Sequence, residues 1–356
     1  MSTLQHVSRC PVRASNSPRC SAMEVISEKE AMRQWSRKQH CQGRTVALVP
    51  TMGYLHEGHL SLVRLAASLA DVVAVSIYVN PSQFAPHEDL LSYPRDLARD
   101  LALLKDLPVA AVFAPADLYL RPLYAPPDQR HAVAEPPAAA VPGPGGAADC
   151  PAVASAAAPA GHETWVTVER LQRPLCGGGR PVFFRGVATV VVKLLHIVEP
   201  DVAVFGKKDY QQWRLIQRMV RDLDMAVQVV GAPLLREVDG LAMSSRNVRL
   251  TPQHRQQALS ISRALLAAKA AVEAAHSGAG ESERGEGHAQ AADASAVVER
   301  VRQTVEEAGG RVEYVQLVEQ EGLEPISHIT CPAVLAVAAH FGSVRLIDNV
   351  EIDVHA

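Results

Sequence analysis

From residue 45 onward, short apolar runs alternate with amphipathic stretches. Residues 45–49 and 72–79 are dense in Val, Ala, Leu and Ile and read as buried strands. Between them, residues 60–70 place Leu62, Leu65, Ala66 and Leu69 on one helical face. The rhythm continues with a helix over 94–105, a strand over 109–113, a strand over 202–205, a helix over 210–223 and a strand over 227–230. Strands alternating with helices predict an α/β fold, a parallel sheet covered on both faces, over residues 23–235.

The pattern then changes. Thr251-Pro252 reads as an N-cap followed by Pro at the first helical position, opening a long helix with Ala258, Ile261, Leu265, Ala268 and Val272 on one face. A helix over 297–308 and short strands near 312–317, 333–337 and 344–347 complete a small α+β domain over 236–356, placed to act as a lid. Two stretches break the rhythm. Residues 125–163 are mostly Ala, Pro and Gly, and residues 277–291 are polar and of low complexity. Neither carries enough large apolar side chains to offset its ordering entropy, so both are expected to be disordered surface insertions.

Composition changes this picture little. A chain of 356 residues has room for two domains, and 48% hydrophobic residues suffice for their cores. A net charge of −3 gives no global field calling for nucleic acid or an anionic membrane. The six cysteines (Cys10, Cys20, Cys41, Cys150, Cys176, Cys331) form no C-x-x-C pair, which argues against a zinc ribbon, a redox dithiol or a disulfide scaffold and for a reduced, cytoplasmic setting. Lys193 interrupts the longest apolar run, 187–198, so no membrane span is expected. Residues 1–22 hold Arg9, Arg13 and Arg19 and no acid. That suits a disordered tail or an organellar leader, and the lack of an amphipathic pattern favours the tail.

The chemistry concentrates at strand ends. There is neither a G-x-x-x-x-G-K-[ST] loop nor a G-x-G-x-x-G after a strand, so any phosphate cradle is of another kind. His56-Glu57-Gly58-His59 lies between a strand and a helix, where free backbone N–H groups and the helix dipole favour an anion. His56 and His59 are one turn apart and can face one ligand, and Gly58 lets a flat base approach the backbone. The spacing is not H-E-x-x-H and no third ligand is apparent, so no resident metal is expected. Asn80-Pro81-Ser82-Gln83-Phe84 follows the next strand and offers amide donors and acceptors to a small polar substrate. Phe205-Gly206-Lys207-Lys208-Asp209 opens another helix, with Gln211 and Gln212 just beyond. Met243-Ser244-Ser245-Arg246-Asn247, at the proposed domain junction, suits phosphate oxygens, and Arg180 or Arg185 suits a carboxylate. Each segment alone has a plainer reading as a turn or cap.

Taken together, P-T-M-G-Y-L-H-E-G-H, N-P-S-Q-F, F-G-K-K-D-Y-Q-Q-W and D-G-L-A-M-S-S-R-N resemble, in order and spacing, the pantothenate synthetase (pantoate–β-alanine ligase) family, its plant or algal members above all. The resemblance runs from about Met23 to the C-terminus outside the two insertions. It implies a Rossmann-like sheet of the H-x-G-H nucleotidylyltransferase type with a smaller C-terminal domain, and a homodimer. It also implies ATP with Mg²⁺, pantoate and β-alanine as ligands, and pantothenate, AMP and diphosphate as products via a pantoyl adenylate.

By the same resemblance, Met52, Gly53, Tyr54, Leu55, His56, Glu57, Gly58 and His59 line the ATP site, with His59 as proton donor. Gly206, Lys207, Lys208, Asp209, the Leu235 backbone, Met243, Ser244, Ser245 and Arg246 complete it. Asn80, Gln83, Arg180 and Gln212 fall to the substrates. Charge stabilisation at the reacting phosphorus falls to His56, His59, Lys208, Ser244, Ser245 and Arg246. Two positions depart from many bacterial members: Lys207, where Glu is common and which should then point to solvent, and Phe183, where His is common. The same H-x-G-H also occurs in adenylyl transfer to phosphate esters and in aminoacyl-tRNA synthetases, but no strongly basic face or anticodon domain is evident here.

Overall fold

Six strands line up side by side and all run parallel: β1 (Glu24–Ile26), β2 (Val46–Thr51), β3 (Val72–Ile77), β4 (Ala111–Phe113), β5 (Val202–Gly206) and β6 (Gln228–Ala232), in the order β1-β4-β3-β2-β5-β6. The computed structural model describes residues 23–86, 88–119, 162–277 and 293–354. The expected tail 1–22, nearly all of 125–163 and the loop after Ser277 lie outside the described residues.

Period-two alternation sends one set of β2 side chains to each face. Val46 and Leu48 join a core with α1 (Lys29–Cys41), α5 (Phe183–Val198) and α6 (Tyr210–Asp222), while Ala47 and Val49 join α2 (Glu57–Leu69) and α3 (Leu97–Leu104). A one-turn helix, α4 (Cys176–Gly179), precedes α5. The strand order reverses between β2 and β5, which are neighbours although β3 and β4 lie between them in sequence. Their carboxyl ends therefore open a crevice at a topological switch point, where open α/β sheets bind ligands.

Three elements were not legible in the pattern. β1 has only three residues. Helix α1 buries Ser36 and Gln39 beside Met32 and Trp35, so its inner stripe is half polar. Helix α5 is buried on most sides, so its apolar run shows no amphipathic period. The helix expected from residue 94 begins at Leu97, because the Asp96 side chain accepts the Arg99 N–H at 3.0 Å and caps it there.

A separate antiparallel sheet has the order β7 (Arg311–Glu319), β8 (Ala333–Phe341), β9 (Val344–Ile352). Each strand extends past the expected span. The Thr251 hydroxyl accepts the His254 N–H at 3.2 Å, as an N-cap should, at the head of α7 (Pro252–Ser277). On one face of β8, Leu335, Val337 and Ala339 pack with α7 and α8 (Ala294–Glu307). On the other face, Val334, Ala336 and Ala338 share the core of α5 and α6. Burial on both faces explains the unbroken apolar run of β8. Among the described residues no helix is long and apolar enough to cross a membrane.

Candidate active site

At the carboxyl ends of β2 and β5 lies a cleft of about 750 Å³. The β2–α2 loop turns through left-handed backbone at Gly53 (φ 83°) and Tyr54 (φ 49°) and delivers His56 to the start of α2. The His56 N–H donates to His59 Nδ1 at 3.3 Å, and the two rings lie 4.0 Å apart. Burial, then the positive charge of Lys208, lowers the His56 pKa to about 4. Burial holds His59 well below the ordinary imidazole value, with His56 and Lys208 adding to the effect. Both rings are therefore neutral at pH 7. Because His59 Nδ1 accepts, its proton sits on Nε2, where a neutral imidazole can donate a hydrogen bond. Gly58 is needed for a second reason besides access: a Cβ there would stand 2.9 Å from the His56 ring.

Gly206, Lys208 and Asp209 come to the same wall from β5, with Lys208 Nζ 3.9 Å from an Asp209 carboxylate oxygen. Leu235 and Met243 face the cleft as well, joined by a Met243 N–H bond to the Leu235 carbonyl at 3.0 Å.

Another part of the lining holds arginines on carboxylates. Arg246 is bidentate to Asp89 at 2.9 and 3.0 Å, and Arg249 reaches the same carboxylate at 2.7 Å. Arg180 is bidentate to Glu88 at 2.6 and 2.9 Å, with its guanidinium 3.7 Å above the Phe183 ring. Burial raises the pKa of both carboxylates, but the arginines more than offset it and hold them below the ordinary range. Phe183, the departure that left its role open, thus serves as a platform for Arg180. The Ser244 hydroxyl accepts the Arg246 N–H at 3.3 Å, and Ser245 Oγ lies 3.1 Å from the Tyr93 hydroxyl.

The amides line the same cleft. Asn80 Nδ2 donates to Gln83 Oε1 at 3.0 Å and to the Gly186 carbonyl at 3.2 Å, while its Oδ1 accepts from the Ser82 and Tyr119 hydroxyls. Asn80 is thereby committed to holding Gln83, which also lines the cleft. Of the two candidate glutamines, Gln212 faces the cleft, and Gln211 is buried against the Leu171 and Pro174 carbonyls. Glu313, His340 and Arg345 of the antiparallel sheet close the far end.

Several expectations need correction. Lys207 points neither at the cleft nor at solvent. Its ammonium bonds both Glu351 carboxylate oxygens at 2.8 Å and lies 5.0 Å above the Trp213 ring. Gly53 shapes the loop away from the main cleft, while Tyr54, Leu55 and Glu57 line, with His56, Met243, Ser244 and Ser245, a smaller pocket beside it. The Tyr54 and Leu55 N–H groups turn to Asp100, and Glu57 pairs with Arg64. Arg185 stacks 4.7 Å above the Trp165 ring and takes no part in the cleft wall. Sequence reading passed over Glu88, Asp89 and Tyr93 because they lie in a polar loop with no period; the only available signal was an acidic pair next to N-P-S-Q-F. Among the described residues no cluster of three or more His, Cys, Asp or Glu side chains is arranged for a metal.

A parallel sheet with neutral histidines, a lysine and a Ser-Ser-Arg turn at its switch point defines a protein that handles a nucleotide's phosphates. Comparison with known proteins narrows the class. The pantoate-β-alanine ligase family model matches residues 24–351. The pantoate–β-alanine ligase of rice, Oryza sativa subsp. japonica, is 52% identical over 93% of this chain and 97% of its own length. The crystal structure of a pantoate-β-alanine ligase (pantothenate synthetase) from Thermus thermophilus superposes with a TM-score of 0.74 at 37% identity, covering 93% of this chain and all of that one. That of a Francisella tularensis pantoate-β-alanine ligase, complexed with beta-gamma ATP and β-alanine, gives 0.66 at 28% identity over 92% and 97% of the two chains. The chain belongs to the pantoate–β-alanine ligase family.

Proposed function

We propose that this enzyme joins pantoate to β-alanine with ATP, through a pantoyl adenylate. One observation carries the reading: His56, His59, Lys208, Ser244, Ser245 and Arg246 converge from separate chain segments on one cleft that also holds Gln83 and Gln212. A pantoate carboxylate oxygen attacks the α-phosphorus, and the bond to pyrophosphate breaks. His59 Nε2–H, Lys208 and the Ser-Ser-Arg turn stabilise the charge that grows on the phosphate oxygens. The free amine of β-alanine then attacks the acyl carbon, AMP leaves, and the amine releases a proton to water. Neutral histidines suit this scheme, because adenylation needs donors at the phosphates and no proton transfer.

In this reading Gln83 takes polar groups of pantoate and β-alanine, and Gln212 those of pantoate. The donor set fits magnesium carried on the nucleotide: Asp209 is the carboxylate beside Lys208, and Asp89 is committed to two arginines. When bound, that ion would supply countercharge to the phosphates. The C-terminal unit, 236–356, touches the nucleotide loop directly, since Asn349 Nδ2 donates to the Lys207 and Lys208 carbonyls at 3.0 Å each. Because β8 shares the core of α5 and α6, closure is expected as a local movement of the Ser-Ser-Arg turn. Hydrogen exchange that changes across the whole antiparallel sheet on adding ATP and pantoate would contradict that. Homodimer formation is tested by size in solution, and cytoplasmic residence by a fluorescent fusion of the first residues.

The central test is pantoate-dependent ATP–pyrophosphate exchange, followed by AMP release on adding β-alanine. Absence of exchange with pantoate sinks the reading.

A further inference from the structure

Among the described residues the mechanism leaves two buried carboxylates unused, Asp348, which is bidentate to Arg236, and Asp100. Asp100, on α3, has a side chain 1% exposed. Its Oδ2 accepts the Tyr54 N–H at 2.7 Å and its Oδ1 the Leu55 N–H at 2.7 Å. These are short, charge-assisted bonds. They require the left-handed turn at Gly53 and Tyr54, and a Cβ at Gly53 would stand 3.0 Å from Oδ2. The neighbouring Arg99 grips the same loop and also pairs with Asp100, Nη1 to Oδ1 at 3.6 Å. Its Nη1 donates to the Leu55 carbonyl at 2.9 Å, and its guanidinium lies 4.8 Å from the Tyr54 ring centroid. The Leu55 residue is thus held at both its N–H and its carbonyl, and the next residue is His56.

A buried carboxylate is a costly way to join a helix to a loop where apolar packing would serve. Burial pushes the Asp100 carboxyl up, and the two backbone N–H bonds offset only part of that. The return is geometric, because the loop end cannot rotate without breaking three hydrogen bonds. The substrate amides depend on other supports, with Asn80 and Gln83 fixed by Ser82, Tyr119 and Gly186.

We propose that Asp100 is a positioning residue for the nucleotide half of the reaction: it locks the 53–55 loop so that His56 and His59 face the phosphates, and it acts on ATP rather than on pantoate. This rests on ATP occupying the His56–His59 wall.

Asp100→Asn keeps the shape but turns an amide NH₂ against one of the two backbone donors. In pantoate-dependent ATP–pyrophosphate exchange the KM for ATP should rise about tenfold or more, as for a lost hydrogen bond to a charge, while the KM for pantoate stays within about twofold. Arg99→Gln, at a half-exposed position, should raise the same ATP constant by a smaller factor. Thermal melting confirms that each variant is folded. If Asp100→Asn does not fold, Arg99→Gln decides by the same criterion. An unmoved ATP constant, or ATP and pantoate constants rising together, overturns the proposal. If the wild type shows no pantoate-dependent exchange, the ligase reading fails by itself. Equilibrium dialysis of labelled ATP against the same variants then reads Asp100 independently: weakened binding supports the proposal and unchanged binding ends it.

Discussion

The two walls of the cleft solve the same problem in opposite ways. At the histidine wall the imidazoles are neutral, and backbone geometry aims them. At the arginine wall the guanidinium groups carry full charge and are already bonded to Glu88 and Asp89. The first wall is ready before a ligand arrives. At the second, a phosphate or carboxylate must share the guanidinium with a resident carboxylate or displace it. The histidine wall should therefore govern both how ATP is held and how fast it reacts, and the arginine wall should govern how binding is coupled to stability.

The largest effect expected from this contrast is at His59. His59→Ala should lower the exchange rate by about 10²–10³-fold, the range for removing one donor to a transition-state oxyanion. His59→Gln, which restores a neutral N–H, should recover part of the loss. Equal losses in both variants would show that the imidazole does more than donate, and near-normal exchange in His59→Ala would remove it from the chemistry.

Lysines 207 and 208 sharpen the comparison within a single turn. Lys208→Ala should cost roughly 10–10²-fold in the same assay, as the loss of a charged phosphate partner. Lys207→Ala breaks the Glu351 bridge and the Trp213 ring contact and should change exchange little, with a stability loss of about 0–1 kcal/mol by thermal melting. If the two variants behave alike, the orientation of Lys207 away from the cleft is wrong.

Asp89→Asn probes the arginine wall. Without ATP it should lower stability by roughly 1–3 kcal/mol, because Arg246 and Arg249 lose a shared carboxylate and keep their charge. With ATP the phosphates replace that carboxylate, so the ATP-induced rise in Tm should be larger in the variant than in the wild type. An equal rise in both would mean that Asp89 keeps its arginines throughout, and that ATP is bound by the histidine wall alone.

The same contrast explains what the sequence made legible. Strand ends are local signals, whereas H-E-G-H and the Ser-Ser-Arg turn each have a plainer local reading and stand out as a site only through their joint order and spacing. The orientation of Lys207 was not legible, since its partner Glu351 lies 144 residues further on. The arginine–carboxylate pairs were hidden for a related reason. Arg180 and Glu88 are 92 positions apart, so Arg180 reads as a carboxylate binder whose resident partner shows only once the sheet brings the two together. The missed helix α5 is the packing counterpart, because burial on most sides removes the polar face by which an amphipathic helix is recognised.

The smallest predicted effect tests the electrostatics of the histidine wall directly. His56 is held to about pKa 4 by burial first and by the charge of Lys208 second. Bound triphosphate neutralises that lysine and adds negative charge beside the ring, so the pKa must rise. Between the free and bound pKa values the complex holds more protons than the free protein. Binding therefore takes up protons, and ATP affinity gains as pH falls through this window, at most about tenfold per pH unit for one group. Titration calorimetry at about pH 5, in two buffers of different ionisation enthalpy, measures the uptake near the lower edge of the imidazole range. His56→Asn should abolish the protein's share and leave the nucleotide's own, so the difference between the two proteins isolates the imidazole. Identical uptake in both would mean that His56 stays neutral with ATP bound, and that Lys208 alone carries the positive charge at that wall.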